Sequence, residues 1–143
     1  MPSRKEIVER ELGVRVPEQY GAYLEKYGIF QARGREVYGI HDSLWGCDGS
    51  PCVIGVTQNF RRDEGLPHRF LVVENIGVDG VIICLDTEDE KVYQISRVYG
   101  DCKIADSFDE WFETDILEYL KQKPPSKYAG AKLELIYDPN EDD

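Results

Sequence analysis

Three short runs of β-branched and aromatic residues, separated by turn residues, constrain the fold of this chain most strongly. The runs lie at residues 70–73, 81–85 and 92–95, and the links between them at 77–80 and 87–90 are rich in Gly, Asp and Glu. Links this short join antiparallel strands, because a parallel crossover needs about a dozen residues or more. The sequence therefore predicts an antiparallel meander as the centre of the fold.

Two short amphipathic helices are predicted before this meander. Ser3 and Glu6 form a capping box, and Gly13 provides a C-terminal stop, which together predict a helix over residues 3–12. Pro17 suits the first turn of a second helix over residues 17–27. Its apolar residues recur with helical spacing at Tyr20, Tyr23, Leu24 and Tyr27. Neither helix is long enough to be stable alone, so both must pack on other elements.

A third helix is predicted after the meander. Ser107 and Glu110 form a second capping box at the start of a helix over residues 107–121. Its broad apolar face is made of Phe108, Trp111, Phe112, Ile116, Tyr119 and Leu120. We expect Trp111, together with Tyr20 of the second helix, to lie in the core.

The remaining patterns are weaker. Residues 36–40 and 103–105 suit short strands, and residues 53–60 suit a turn or two of helix. The whole predicts an α+β fold, in which an N-terminal helix pair and a C-terminal helix pack on a twisted antiparallel sheet in a single domain over residues 1–122. Residues 123–143 are predicted to form a C-terminal extension with a short strand at 133–137 and an acidic tail.

The negative charge of the chain is confined to its second half. Residues 1–73 carry ten basic and ten acidic side chains, whereas residues 74–143 carry seven basic and eighteen acidic ones, which accounts for the net charge of −11. A field of this sign repels nucleic acid and anionic membranes and attracts basic proteins. We therefore expect neither nucleic acid nor membrane as a partner. Acidity that serves only solubility is the alternative.

The N-terminus and the cysteines indicate the compartment. No apolar segment follows the charged residues at 4–6, and no run approaches the ~18 apolar residues of a membrane span, so we expect a cytoplasmic protein. The four cysteines, Cys47, Cys52, Cys84 and Cys102, form no CxxC pair and are predicted to be free thiols. A metal site made of Cys47, Cys52 and His41 would be incomplete, so no metal or other cofactor is expected.

No pattern in the sequence indicates catalysis. His41 and His68 are predicted to be surface or loop histidines, because neither accompanies a nucleophile motif. Glycine patterns that cradle phosphate are missing from the sequence. Asp79 and Asp86 bracket a predicted strand, where turn formation explains them better than a carboxylate pair. The chain is therefore predicted not to be an enzyme and to have no catalytic residues.

Seven acidic residues are the predicted partner-binding site. They belong to the predicted turn after the second strand and to the start of the last helix: Asp86, Glu88, Asp89, Glu90, Asp109, Glu110 and Glu113. If these two segments meet, they form an acidic surface that docks a basic protein. A solvated hairpin tip without a partner is the alternative.

The order of these segments resembles the SUKH superfamily. The resemblance is carried by Glu11-Leu12-Gly13, Val16-Pro17-Glu18-Gln19-Tyr20 and Tyr27-Gly28, then by Leu66-Pro67 with residues 70–73, Gly80 through Thr87, Val92-Tyr93, and Ser107-Phe108 with Trp111-Phe112. It extends over about residues 3–120. Each motif alone is a helix cap, a turn or a core residue, and their order makes the likeness specific.

The resemblance implies function by binding. Many bacterial members look like immunity proteins that neutralise toxins, frequently nucleases, and other members resemble a regulator of cell-wall synthesis that acts through partner proteins. The resemblance carries no catalytic residue. The function predicted is therefore a non-enzymatic protein-binding module, an immunity protein whose partner is the basic domain of a cognate bacterial toxin. A regulatory or scaffold protein-interaction domain without a toxin partner is the alternative.

Overall fold

The computed structural model describes residues 2–41, 48–49 and 51–121. In chain order its elements are α1 (Arg4–Leu12), α2 (Glu18–Lys26), β1 (Phe30–Ala32), β2 (Arg35–Val37), α3 (Val53–Glu64), β3 (Phe70–Asn75), β4 (Ile82–Asp86), β5 (Val92–Ile95), β6 (Cys102–Ala105), and a last helix divided into α4 (Phe108–Trp111), a π-helical stretch (Phe112–Leu117) and α5 (Glu118–Lys121). Strands β3 to β6 form one sheet in the order β3-β4-β5-β6, and all neighbouring pairs are antiparallel. The predicted meander and α+β class are confirmed.

The first two helices begin and end close to their predicted positions. The Ser3 side chain accepts a hydrogen bond from the Glu6 backbone N–H, and the Glu6 side chain accepts one from Ser3 in return, so the capping box is present. Gly13 ends α1 with φ of 68°, a left-handed conformation that glycine adopts without steric cost. Helix α2 begins at Glu18, immediately after Pro17.

The β1–β2 hairpin is only partly predicted by the sequence. The strand expected at 36–40 is found at Arg35–Val37, and its partner β1 was not expected. The Tyr23 hydroxyl of α2 fixes the hairpin, because it donates a hydrogen bond to the Val37 carbonyl and accepts one from the Phe30 N–H. A tertiary contact of this kind leaves no local pattern in the strands. Helix α3 is longer than expected and continues to Glu64 before Gly65 ends it.

The core is rich in aromatic rings. Trp111 and Tyr20 are 1% and 0% exposed, which confirms both as core residues. The Tyr20, Tyr23 and Phe112 rings surround Phe108, with centroids 5.1 to 5.8 Å from its own. Edge-to-face and offset pairs at such distances stabilise beyond their buried area. The last helix is therefore packed against α2 as well as the sheet.

Two local features lie outside the predictions. The last helix widens into the π-helical stretch between α4 and α5. Cys52 is disulfide-bonded, so the prediction of four free thiols is wrong at this position, whereas Cys84 and Cys102 are free. The prediction followed from the spacing of the cysteines, which contains no CxxC pair, and spacing alone does not reveal such a bond. The predicted strand at 133–137 and the acidic tail lie outside the described residues.

Candidate protein-binding surface

The topology of the sheet brings the two predicted acidic segments to the same end of the molecule. Strand β5 begins where β6 ends, since Val92 pairs with Ala105 in the antiparallel register. The β4–β5 hairpin tip precedes Val92, and helix α4 follows Ala105 closely. The tip and the helix start are therefore neighbours in space, although about twenty residues separate them in the chain.

Asp86 organises the hairpin tip from a buried position. Its side chain is 5% exposed, and one oxygen accepts a hydrogen bond from the Arg69 Nε at 2.9 Å. The other oxygen accepts from the Glu88 backbone N–H at 2.8 Å and more weakly from that of Asp89. The Asp86 carboxylate also raises the pKa of Arg69. Asp86 thus shapes the tip, and the carboxylates that follow it remain exposed.

The exposed carboxylates of the tip are Glu88, Asp89 and Glu90. Asp89 accepts hydrogen bonds from the Lys91 backbone N–H at 2.8 Å and from the Tyr93 hydroxyl at 2.6 Å. The hydrogen bond that the Tyr93 hydroxyl donates to Asp89 is the main reason that the pKa of Tyr93 is raised. Asp89 is thereby held in one position, and Glu88 and Glu90 extend the negative charge around it.

Lys103 of β6 connects the tip electrostatically with the start of the last helix. Its ammonium nitrogen contacts an Asp106 oxygen at 2.5 Å. The hydrogen bond to Asp106 chiefly raises the pKa of Lys103, and the charges of Glu110 and Asp89 add to the rise. Glu110 and Asp89, which the sequence placed in separate elements, therefore act on the same cation.

The other two predicted residues lie on the last helix. Asp109 and Glu113 are exposed, and they occupy successive turns. The Asp109 backbone N–H donates a hydrogen bond to the Gln19 side chain of α2 at 2.9 Å. This bond, together with the packing of Phe108 on Tyr20 and Tyr23, attaches the start of the last helix to α2.

We define the acidic surface by the residues of the tip and of the helix start. It contains the carboxylates Asp86, Glu88, Asp89, Glu90, Asp106 and Glu110 and the basic groups Arg69, Lys91 and Lys103. Six acidic groups against three basic ones leave an excess of three negative charges. No pattern in the sequence points to the basic groups, although the antiparallel register that pairs Lys103 with Tyr93 follows from the meander.

The histidine and the two aspartates that the sequence offered as candidates for catalysis, His68, Asp79 and Asp86, have structural roles instead. His68 is exposed, with its Nε2 3.0 Å from the Gly13 carbonyl oxygen. Asp79 lies in the β3–β4 turn with φ of 55°, at the opposite end of β4 from Asp86, which confirms the turn interpretation of both.

Within the described part of the chain, no three His, Cys, Asp or Glu side chains are grouped to hold a metal ion. None of the described helices is long and apolar enough to cross a membrane.

Residues 2–118 match the SUKH family model described as SMI1-KNR4 cell-wall. The chain belongs to the SUKH superfamily. The resemblance noted in the sequence is thereby confirmed, and the SUKH match includes every residue of the acidic surface. No curated protein matches the chain.

Proposed function

We propose that this SUKH protein is a non-enzymatic protein-binding module, an immunity protein that binds and neutralises the basic domain of a cognate bacterial toxin in the cytoplasm. The observation that carries the proposal is the acidic surface, in which the hairpin tip and the helix start bring exposed carboxylates together around Lys103. Asp109 and Glu113 extend this surface along the last helix.

The physical argument is charge complementarity. A nuclease toxin presents a basic cleft to the phosphates of its substrate, and a protein with opposed charge can occupy that cleft. Long-range attraction raises the association rate and is screened by salt, since the Debye length falls from about 10 Å at 0.1 M to about 3 Å at 1 M. The acidic surface is therefore expected to govern the association rate more than the dissociation rate.

Charge reversal at exposed positions tests the surface without disturbing the hairpin. Glu88, Glu90 and Glu113 are exposed, and replacing all three with Lys leaves the buried Asp86 and the hydrogen bonds of Asp89 intact. The matched control replaces Glu11, Glu18 and Asp63 with Lys. It changes the net charge by the same amount, on helices α1, α2 and α3 of residues 1–73, where acidic and basic side chains are equal in number. Both variants should fold, because exposed and half-exposed charges contribute little to stability, and this includes the pairs that Glu11 makes with Arg10 and Asp63 makes with Arg62 in the control.

The partner for this experiment is the toxic product of a neighbouring gene in the source genome. Co-expression of the chain should restore growth of cells that make this toxin. In stopped-flow mixing, the triple reversal of Glu88, Glu90 and Glu113 should slow association about tenfold or more at low salt, and the control should change it about twofold at most. Equal rates for both variants would remove the acidic surface from the proposal, and a neighbourhood without any toxic product would contradict the immunity function.

A regulatory protein-interaction module without a toxin partner is the second candidate. It is favoured by the description of the matched family model, which refers to the cell wall. Deletion of the gene distinguishes the two candidates. A cell-wall defect without any change in toxin sensitivity would favour the regulatory module, and toxin sensitivity alone would favour the immunity protein.

A further inference from the structure

Most of the exposed apolar side chains lie in the β3–β4 and β5–β6 turns, at the end of the sheet opposite the acidic surface, whereas Ile104 of β6 follows Lys103 directly. Six large apolar side chains of the described residues are exposed: Ile76, Val78, Val98, Tyr99, Ile104 and Tyr119. Four of them line one groove, namely Ile76, Val78, Tyr99 and Ile104. Single exposed apolar residues are ordinary on a protein surface, whereas a contiguous group marks an interaction site.

The floor of the groove is a row of side chains across the sheet. Glu74, Ile83 and Gln94 pair across β3, β4 and β5, so they share one face of the sheet, and Ile104 of β6 continues the floor. The groove has a volume of about 420 Å³. Among the described strands β6 pairs with β5 alone, and the groove therefore lies next to a sheet edge.

One wall of the groove is held by an ion pair. The Arg35 guanidinium donates to both oxygens of Glu74 and, through Nη1, to the Asp115 carbonyl at 3.0 Å. The Tyr119 ring lies 5.4 Å from the same guanidinium. These contacts join the β1–β2 hairpin, the central sheet and the last helix, so this wall is rigid before any partner arrives.

The opposite wall is made of two turns that are tied together. The buried Ser96 hydroxyl donates to the Asp79 carbonyl at 3.2 Å and accepts from the N–H groups of Val98 and Tyr99. The Tyr99 hydroxyl donates to an Asp79 carboxylate oxygen at 2.6 Å. A groove with both walls fixed loses little conformational entropy on binding, which favours affinity.

The charges of the groove indicate what it binds. Arg35 and Glu74 neutralise each other, which leaves Asp79 on one wall and Asp115 on the other as uncompensated negative groups of the lining. We propose that the groove binds a segment of a partner protein that carries an aliphatic side chain between cationic residues. The aliphatic side chain covers Ile83 and Ile104, and the cations approach the two walls. A second copy is a poor occupant, because each copy carries a net charge of −11.

This inference goes beyond the acidic surface and rests on the proposed function only in that the partner is a protein. Along β4 the groove residue Ile83 and the tip residue Asp86 are three residues apart, which is about 10 Å. A partner can therefore occupy the groove with or without contacting the hairpin tip.

A synthetic peptide that alternates lysine and valine tests the groove directly by NMR titration. Amide shifts should change at Ile83, Gln94 and Ile104 and stay constant at Glu88 and Glu90. Peptides that alternate glutamate with valine, or lysine with serine, should bind at least about tenfold more weakly, because each lacks half of the required chemistry. No binding of the lysine–valine peptide, equal binding of the lysine–serine peptide, or shifts centred on the hairpin tip would each overturn the inference.

Two variants complete the test. Ile104→Lys places a cation on the groove floor and should weaken binding of the lysine–valine peptide at least about tenfold. Val98→Lys is the matched control, since Val98 is exposed beside the groove without lining it. This variant should bind the lysine–valine peptide with an affinity within about twofold of that of the unaltered chain. Spectra of both variants report folding. If groove shifts appeared on concentrating the chain without peptide, a second copy would be the occupant and the stated partner would be wrong.

The two proposals can fail separately. Peptide binding in the groove together with an absence of any neutralised toxin would sustain the groove and contradict the immunity function. The opposite outcome is also possible. The toxin would then be neutralised, its binding would be weakened by reversal of Glu88, Glu90 and Glu113 but not by Ile104→Lys, and the lysine–valine peptide would not bind. That result would sustain the immunity function and contradict the groove as a binding site.

Discussion

The Arg35 guanidinium faces the Glu74 carboxylate with two parallel hydrogen bonds, Nε to Oε2 at 2.7 Å and Nη2 to Oε1 at 2.8 Å. The Glu74 side chain is 4% exposed and that of Arg35 is 22% exposed. The bond to Glu74 is the main reason that the pKa of Arg35 is raised. Such a pair is costly to break by removing one partner, because a buried charge then remains uncompensated.

Arg35→Met should therefore lower the free energy of unfolding by about 2 to 4 kcal/mol, somewhat less than for a fully buried pair because Arg35 is partly exposed. Arg35→Met combined with Glu74→Leu should recover most of this loss, since no buried charge is left. Arg62→Met, which breaks an exposed pair with Asp63, should lower the free energy of unfolding far less than Arg35→Met does. Urea denaturation measures all three, and a loss as small for Arg35→Met as for Arg62→Met would contradict the prediction.

Trp111→Ala should destabilise the protein by about 3 to 5 kcal/mol, because Trp111 is 1% exposed and its removal leaves a cavity beside Phe108. Trp111→Phe is the control. The Trp111 indole nitrogen has no hydrogen-bond partner among the described residues, so phenylalanine removes volume without removing a bond. Its cost should be clearly smaller. Circular dichroism in denaturant measures both, and equal costs would show that cavity size does not determine the effect.

The buried tyrosines predict loss of stability in alkali. Burial raises the pKa of Tyr20 and of Tyr23 well above the ordinary value. In the unfolded chain both groups lose their protons near pH ~10, whereas the folded state retains them, so stability falls as pH rises through that value. Tyrosinate absorbance should therefore rise together with the loss of circular dichroism. Ionisation of all tyrosines in a chain that is still folded would be inconsistent with their burial.

Thiol reactivity should distinguish the cysteines. Cys102 is exposed and free, whereas Cys84 is buried, and its burial raises the pKa of its thiol. Because the thiolate is the reactive form, Ellman's reagent should titrate one fast thiol in the folded protein and reach Cys84 only on unfolding. Cys102→Ser should abolish the fast reaction. Fast thiols that persist in this variant would show that the Cys52 disulfide is not formed in solution.

Features that depend on neighbouring residues were predictable from the sequence. The capping box at Ser3, the N-cap at Ser107 and the meander of β3 to β5 were found where the sequence placed them, because caps, turns and alternation act over a few residues. The box predicted at Ser107 is only half formed, since the Glu110 side chain accepts from the Asp106 N–H instead of the Ser107 N–H. Strand β1 was missed, since it has three residues and depends on the Tyr23 hydroxyl of α2. A strand of three residues is too short to show a recognisable alternation of apolar and polar side chains in the sequence.

The site shows the same division. The acidic residues of the tip were visible as a cluster, and their proximity to Glu110 follows from the antiparallel order of β5 and β6. The groove was not predicted, because its walls depend on contacts such as that between Arg35 and Glu74, which are 39 positions apart. No spacing rule identifies two such residues as partners before the fold is known.

The π-helical stretch at Phe112–Leu117 makes the last helix tolerant of a one-residue deletion. A π-helical hydrogen bond closes over one residue more than an α-helical one, so a deletion here can be absorbed by reverting to α-helix. The remainder of the helix would then keep its orientation, whereas the same deletion in an uninterrupted α-helix would rotate everything after it by about 100°. Tyr119 would therefore stay beside the Arg35 guanidinium, and the border of the groove would survive a change in the length of the chain at this point.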